Sequence, residues 1–240
     1  IVDNEQITTQ GANGNTVVNA IRAMGACHPV IDNNKQIIGG SEGQAHNPIG
    51  VYCGLQNGAA SKCVVLSNGA IKGSGACFPP TSIGVRCDDG GCNRIANNRL
   101  ITGRGAAADS VGVWLGSTGT SVENNVIQGG CAGTQGNPGV STGVRADDAY
   151  ARLENNRIYG YLATDCNCGA GSSGNPSASH GLRVFLKSGA HEVDVHSNDI
   201  DAAGPPPGGI AACNGRGVLV DLVAGAVMAK QGIFRNNILR

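Results

Sequence analysis

Two short phrases alternate along the chain, each with apolar residues at fixed distances from asparagine or glycine. The first reads IDNNKQIIGG from Ile31, VLSNGAIKG from Val65, IANNRLITG from Ile95, VENNVIQGG from Val122, LENNRIYG from Leu153, VHSNDIDAAG from Val195 and FRNNIL from Phe234. Its second or only asparagine falls at Asn34, Asn68, Asn98, Asn125, Asn156, Asn198 and Asn237, always three positions after an apolar residue. The gaps are 34, 30, 27, 31, 42 and 39 residues. Three copies continue as Asn-x-x-Ile-x-Gly and the next two as Asn-x-Ile-x-Gly, so the turn shortens by one residue. The second phrase reads IGVYCG at Ile49, IGVRCD at Ile83, VGVWLG at Val111, TGVRAD at Thr142, HGLRVF at His180 and RGVLVD at Arg216. Two interleaved phrases on one drifting period predict a repeat architecture with fixed short strands and variable loops.

One repeat cannot bury a face alone, so the repeats must stack. Parallel stacking of extended segments separates neighbouring coils by about 4.8 Å. Asparagine suits this arrangement twice over. It tolerates the left-handed backbone needed to turn the chain, and its side-chain amide can bond to the copies above and below. The column Asn68, Asn98, Asn125, Asn156 therefore reads as mainly structural.

The V/I-x-N-N-x-I-x-G phrases and the G-V-x-x strands resemble the right-handed parallel β-helix of the pectate-lyase-like superfamily, over residues 26–240. The resemblance implies an all-β solenoid of about seven coils. Residues 1–25 form an N-terminal segment. Within it, TVVNAIRAM at residues 16–24 is expected to be an amphipathic capping helix, with Val17, Val18, Ile21 and Met24 on one face and Gly25 as its stop. At the other end FRNNILR stops in mid-repeat. Further sequence is expected beyond it, or another subunit covering this end; the latter makes self-association through the β-helix ends feasible.

Composition narrows the class. The chain has 240 residues, of which 39 are glycine, with aromatics at 3% and charged residues at 14%. That suits many short strands and tight turns in one domain, and excludes a coiled coil. Zero net charge gives no global field for nucleic acid. No apolar run is long enough to span a membrane. Ten cysteines without paired zinc spacing read as disulfides, hence a secreted or cell-surface protein in an oxidising compartment. Local pairs such as Cys53–Cys63 and Cys87–Cys92 are expected, because each follows the same strand in consecutive repeats.

Strand alternation assigns faces in the second phrase. Val51, Val85, Val113, Val144, Leu182 and Val218 point inward. Tyr52, Arg86, Trp114, Arg145, Arg183 and Leu219 point outward, followed two positions on by Gly54, Asp88, Gly116, Asp147, Phe185 and Asp221. Aromatic rings pack on sugars and Arg forks bind carboxylates, so this stripe predicts contact with an acidic polysaccharide or cell-surface glycan, with Tyr52, Trp114 and Arg183 as binding residues. Asp88–Asp89 and Asp147–Asp148 recur two coils apart, roughly 10 Å. That approaches the separation used in inverting glycoside hydrolysis, and each pair is also a candidate calcium site. In the family resembled, acidic residues often hold calcium against a uronate while a basic residue removes a proton. By that resemblance Arg145 with Asp147, or Arg86 with Asp88, are the candidate catalytic residues. His180-Gly181 matches the letters of the hydrolase members' His-Gly element, without an accompanying aspartate set.

The plainer readings are surface ion pairs for the Arg and Asp residues and an ordinary turn for Asp-Asp-Gly. His191 and His196 face opposite sides of one strand, so a metal site there is not expected. The polar segment 166–179 is the expected lid or partner contact, and 205–209 a stiff loop. The expectation is thus a secreted β-helix that binds polysaccharide along one face. The alternatives are a non-catalytic structural or adhesive subunit that assembles end to end, and a polysaccharide lyase or glycoside hydrolase.

Overall fold

The computed structural model describes residues 1–9, 17–40, 47–74, 80–106, 108–116, 119–134, 137–161, 178–186, 192–203, 215–222 and 234–239. Residues 166–177, His191 and residues 205–209 lie outside them. The described residues are all β, with three long parallel sheets and no helix.

The chain visits the sheets in fixed cyclic order. The first sheet joins Asn19–Met24, Ile49–Gln56, Thr81–Cys87, Asp109–Gly116, Val140–Asp147, Ala178–Leu186 and Gly215–Leu222. The second joins Val30–Asp32, Cys63–Leu66, Cys92–Ala96, Thr120–Glu123, Ala151–Glu154, Val193–His196 and Phe234–Arg235. The third joins Ile7–Thr8, Gln36–Ile38, Ala70–Lys72, Ile101–Ala106, Val126–Thr134, Arg157–Tyr161, Asp199–Ala203 and Ile238–Leu239. Strands from successive circuits pair in parallel, the strand order of a β-helix-like solenoid. The second phrase supplies the first sheet. The first phrase supplies the second and third, with its asparagines at the corner between them.

The interior is a column of branched aliphatics. Ile31, Val65, Ile95, Val122, Leu153 and Val195 from the second sheet meet Ile37, Ile71, Ile101, Ile127, Ile158 and Ile200 from the third, all buried. The first sheet contributes Val51, Val85, Val113, Val144 and Leu182. β-Branched side chains pack well on a pleated, half-buried surface, which is why Ile and Val dominate.

The corner divides labour between the two asparagines. The first position takes the left-handed backbone, with φ of 52° at Asn33, 58° at Asn97, 55° at Asn124 and 54° at Asn155. Ser67 and Ser197 do the same where the phrase has only one Asn. The second position is buried and forms a ladder. Nδ2 donates to Oδ1 of the next coil from Asn34 to Asn68 (2.9 Å), Asn68 to Asn98 (2.9 Å), Asn98 to Asn125 (2.9 Å), Asn125 to Asn156 (3.0 Å) and Asn156 to Asn198 (2.9 Å). The same Oδ1 also accepts the backbone N–H of the asparagine below, as Asn125 does from Asn98 at 3.0 Å. Buried amides are thereby satisfied in both directions, which a core position requires.

A second internal stack, of serines, lies at another corner. Ser82, Ser110, Ser141 and Ser179, all buried, donate from Oγ to the carbonyls of Gly103, Gly129, Gly160 and Ala202. They close the corner between the third and first sheets. The phrase glycine beside them is a close-approach residue. A Cβ on Gly112 would lie 2.7 Å from the Gly143 carbonyl oxygen and 2.7 Å from Cγ2 of Ile127.

The helix expected over residues 16–24 is not formed; Asn19–Met24 is a strand. Ile21 and Ala23 are buried while Arg22 is exposed, a period of two. The strand pairs in register with the next coil, Ile21 against Val51 and Arg22 against Tyr52. NAIRA is therefore another copy of the second phrase with Ala20 in the glycine place. Pairing satisfies one edge of its backbone, which outweighs a weak helical preference. Residues 1–9 join the stack as well. Ile7 and Thr8 pair with Ile37 and Ile38, and Asn4 Nδ2 donates to Asn34 Oδ1 at 2.8 Å.

Two disulfides staple the corner between the first and second sheets, Cys53–Cys63 and Cys87–Cys92, as the local pairing anticipated. Cys53 lies in register with Cys87 and Cys63 with Cys92, so the two bridges stack in consecutive coils.

Candidate functional site

The outward column of the first sheet is continuous. Pairing places Arg22, Tyr52, Arg86, Trp114, Arg145, Arg183 and Leu219 in register on successive strands. All six residues expected on the stripe, Tyr52, Arg86, Trp114, Arg145, Arg183 and Leu219, therefore come together on one face. Arg22 extends it and was missed, because the helix assignment hid its strand. The usable signal was the alignment of NAIRA with IGVYC once alanine is admitted at the glycine position.

Planar groups alternate along this column. The Arg86 guanidinium carbon lies 4.7 Å from the centroid of a Trp114 ring, and that of Arg145 lies 4.0 Å from it. Arg22 lies 5.8 Å from the Tyr52 centroid. Each such contact is worth about 0.5–2 kcal/mol, depending on desolvation.

The adjoining column carries the counter-charges. Arg86 Nε donates to both carboxylate oxygens of Asp88, at 3.1 and 2.9 Å. Arg145 Nε donates to both of Asp147, at 3.0 Å each, with Nη2 2.9 Å from Oδ2. Arg183 Nε donates to Asp221 of the next coil at 2.8 Å. Among the described residues, these pairings leave Nη donors of Arg86 and Arg183 without a protein acceptor. Among the described residues Arg22 has no carboxylate partner; its Nε meets Met24 Sδ at 3.0 Å. Four guanidiniums (Arg22, Arg86, Arg145, Arg183) thus face three carboxylates (Asp88, Asp147, Asp221).

Gly54 makes room at one end of the stripe. A Cβ there would sit 2.6 Å from the Tyr52 hydroxyl oxygen. The Tyr52 hydroxyl donates to Asp88, and burial followed by the Asp88 charge pushes its pKa above the usual phenol value. A cleft of about 190 Å³ opens here between Arg22, Tyr52, Arg86 and Asp88, with Asn19 Oδ1 shielded from water and unbonded. Beneath the stripe, Ile49, Ile83 and Val111 form a second apolar cluster outside the coil interior, packed against Tyr52 and Trp114.

The second aspartate of each pair has a different job. Asp89 and Asp148 take left-handed backbone, φ 48° and 47°, and turn the chain after the strand. Their backbone N–H groups donate to the Gly116 and Phe185 carbonyls. Asp88 and Asp147 are separated by Gly116 of the intervening strand. The Asp88 and Asp147 carboxylates are already engaged by guanidiniums, and the described residues hold no group of three or more His, Cys, Asp or Glu side chains placed for a metal ion.

His180 sits on the same sheet, in register with Thr142 and Arg216, and is buried with Nδ1 unbonded. Burial, then the charges of Arg183 and Arg216, lower its pKa from 6.5, against an opposing pull from Asp221.

Searches of protein-family models, curated proteins and solved structures find no match to this chain.

Proposed function

We propose that this protein is a secreted or cell-surface right-handed parallel β-helix of the pectate-lyase-like kind that binds an acidic polysaccharide along its first sheet without cleaving it. One observation carries this reading: the in-register column of Arg22, Tyr52, Arg86, Trp114, Arg145 and Arg183, in which Arg86, Arg145 and Arg183 hold carboxylates through Nε. The remaining Nη donors and the excess guanidinium charge suit a polymer of carboxylates and hydroxyls. Ion pairs and ring contacts lock these side chains before ligand arrives, so binding loses little rotamer entropy. The ladder spacing of about 4.8 Å repeats planar and charged groups along the axis of the stacked coils, which suits an extended chain. Stacked disulfides accord with an oxidising compartment. Binding without turnover is the reading because the Asp88 and Asp147 carboxylates are already engaged by Arg86 and Arg145 and so are not free to act on a substrate.

Affinity electrophoresis through gels containing a polyuronate or a neutral glucan tests this. Retardation should occur in the polyuronate gel and weaken with salt. The Arg86→Gln/Arg183→Gln variant should lose about tenfold in affinity, in line with charge-assisted hydrogen bonds. Absorbance at the unsaturated-uronate band should stay flat with and without calcium. Equal migration of wild type and variant would overturn the assignment of the face, and growth of that band would overturn the absence of cleavage.

A further inference from the structure

The second sheet carries a cleft that the first-sheet stripe does not use. Its volume is about 390 Å³, and its lining includes Asn93, Ser121, Tyr150, Arg152, Glu192 and Asp194. These residues come from four successive coils, so at about 4.8 Å per coil the cleft runs roughly 14 Å along the stack. We propose that it binds a short stretch of a neutral polysaccharide, with Tyr150 as the platform for a sugar ring.

Three features argue for a ligand. Tyr150 is a large aromatic left 40% exposed at the cleft; a phenol ring offers an apolar body beside a polar tip, the combination that packs on a pyranose. Asp194 Oδ1 is shielded from water yet accepts no hydrogen bond. A buried acceptor without a donor is unfavourable, and rotation of this half-buried side chain toward the cleft would let a sugar hydroxyl supply the donor. Asn93 is the third. The register between Cys63–Leu66 and Cys92–Ala96 shifts between Cys92 and Arg94, so Asn93 is the extra residue of a bulge, and its exposed side chain lines the cleft. Bulges re-aim side chains in this way beside functional sites.

The charges select the ligand. Arg152 pairs with Glu154 at 2.6 Å, and the Asp194 carboxylate of the lining repels an acidic polymer. A bound metal ion is disfavoured, because Arg152 lies in register with Asp194 and no group of three metal-ligating side chains occurs among the described residues. A hydroxyl-rich, uncharged partner suits this lining of one aromatic ring and a few convergent polar groups.

The test is amide and side-chain NMR titration of the intact protein with cellohexaose, mannohexaose, xylohexaose and laminarihexaose, with a hexauronate and calcium chloride as separate arms. At least one neutral hexamer should give saturable shifts at Asn93, Ser121, Tyr150 and Asp194. Tyr150→Ala should weaken that binding at least tenfold. Asp194→Asn, which preserves shape, should weaken it severalfold and keeps the test valid if the tyrosine variant fails to fold. Trp114→Ala should leave it unchanged, separating this site from the first-sheet face. The proposal is overturned if no neutral hexamer shifts these signals, if hexauronate or calcium alone shifts them, or if binding survives both variants in the cleft.

Discussion

The guanidinium of Arg145 lies 4.0 Å from the centroid of a Trp114 ring while its Nε holds both oxygens of Asp147. One arginine thus ties a ring on the neighbouring coil to a carboxylate on its own strand. Arg86 does the same from the other side of Trp114, through Asp88. The tryptophan stands between two cations, so the stripe is a pre-set lattice.

That lattice should show energetic coupling. In a double-mutant cycle of Trp114→Leu and Arg145→Gln, urea denaturation should give a coupling of about 0.5–1 kcal/mol, the range for an exposed to half-buried cation–ring contact. Simple additivity would mean that the two groups are merely adjacent.

The corner asparagines should separate by position. Asn125→Ala removes the acceptor of two donors from Asn98 and the donor to Asn156, and should destabilise by about 3 kcal/mol or more, since each orphaned buried group costs about 1–3 kcal/mol. Asn124→Gly should be close to neutral, because glycine accepts the φ of 55° at no steric cost. Denaturant midpoints of the two variants decide this, and similar losses would contradict the division of labour.

Stability should depend on pH through His180. Its folded-state pKa is lowered mainly by burial, so the unfolded chain takes up the proton first as pH falls. Stability from this group is therefore full above the ordinary value of 6.5 and declines as pH drops below it. The wild-type minus His180→Gln difference in melting temperature should shrink on going from pH 7.5 to pH 5. A constant difference would show that the histidine does not change charge on unfolding.

The stacked disulfides close loops with sequence separations of 10 and 5 residues. Loop-closure entropy assigns each about 2–3 kcal/mol. Replacing both Cys87 and Cys92 by alanine should lower stability by about 2 kcal/mol, read from chemical denaturation with the protein still folded. In the following coil Leu115 occupies the place of Cys87 in register, so an apolar residue is tolerated there and the coil should persist.

The readable parts of this molecule were those with a landmark in every copy. Asparagine spacing marked one corner, and the Gly-Val pair set the register that brings Arg86, Trp114 and Arg145 together. Legibility failed where a copy lacked its landmark. Ala20 replaces the phrase glycine, and Val17, Val18, Ile21 and Met24 fit a helical stripe as well as an alternating strand, so Arg22 was lost to the site. The outer cluster was hidden for a different reason. Ile49 lies outside with Tyr52, whereas Val51 lies inside; a break in alternation at Gly50 defeats strict period-two assignment. The second-sheet cleft depends on a register shift at Asn93, which no spacing rule reveals. The pairing of Asp221 with Arg183 across coils needed the stack itself.

The chain contains one tryptophan, so the indole N–H of Trp114 gives a single resolved NMR signal at the centre of the proposed face. Titration with a uronate hexamer should move that signal saturably, and raised salt should weaken the effect. A hexamer that binds while the indole signal stays fixed, or that fails to bind at all, would contradict polysaccharide recognition by the first sheet.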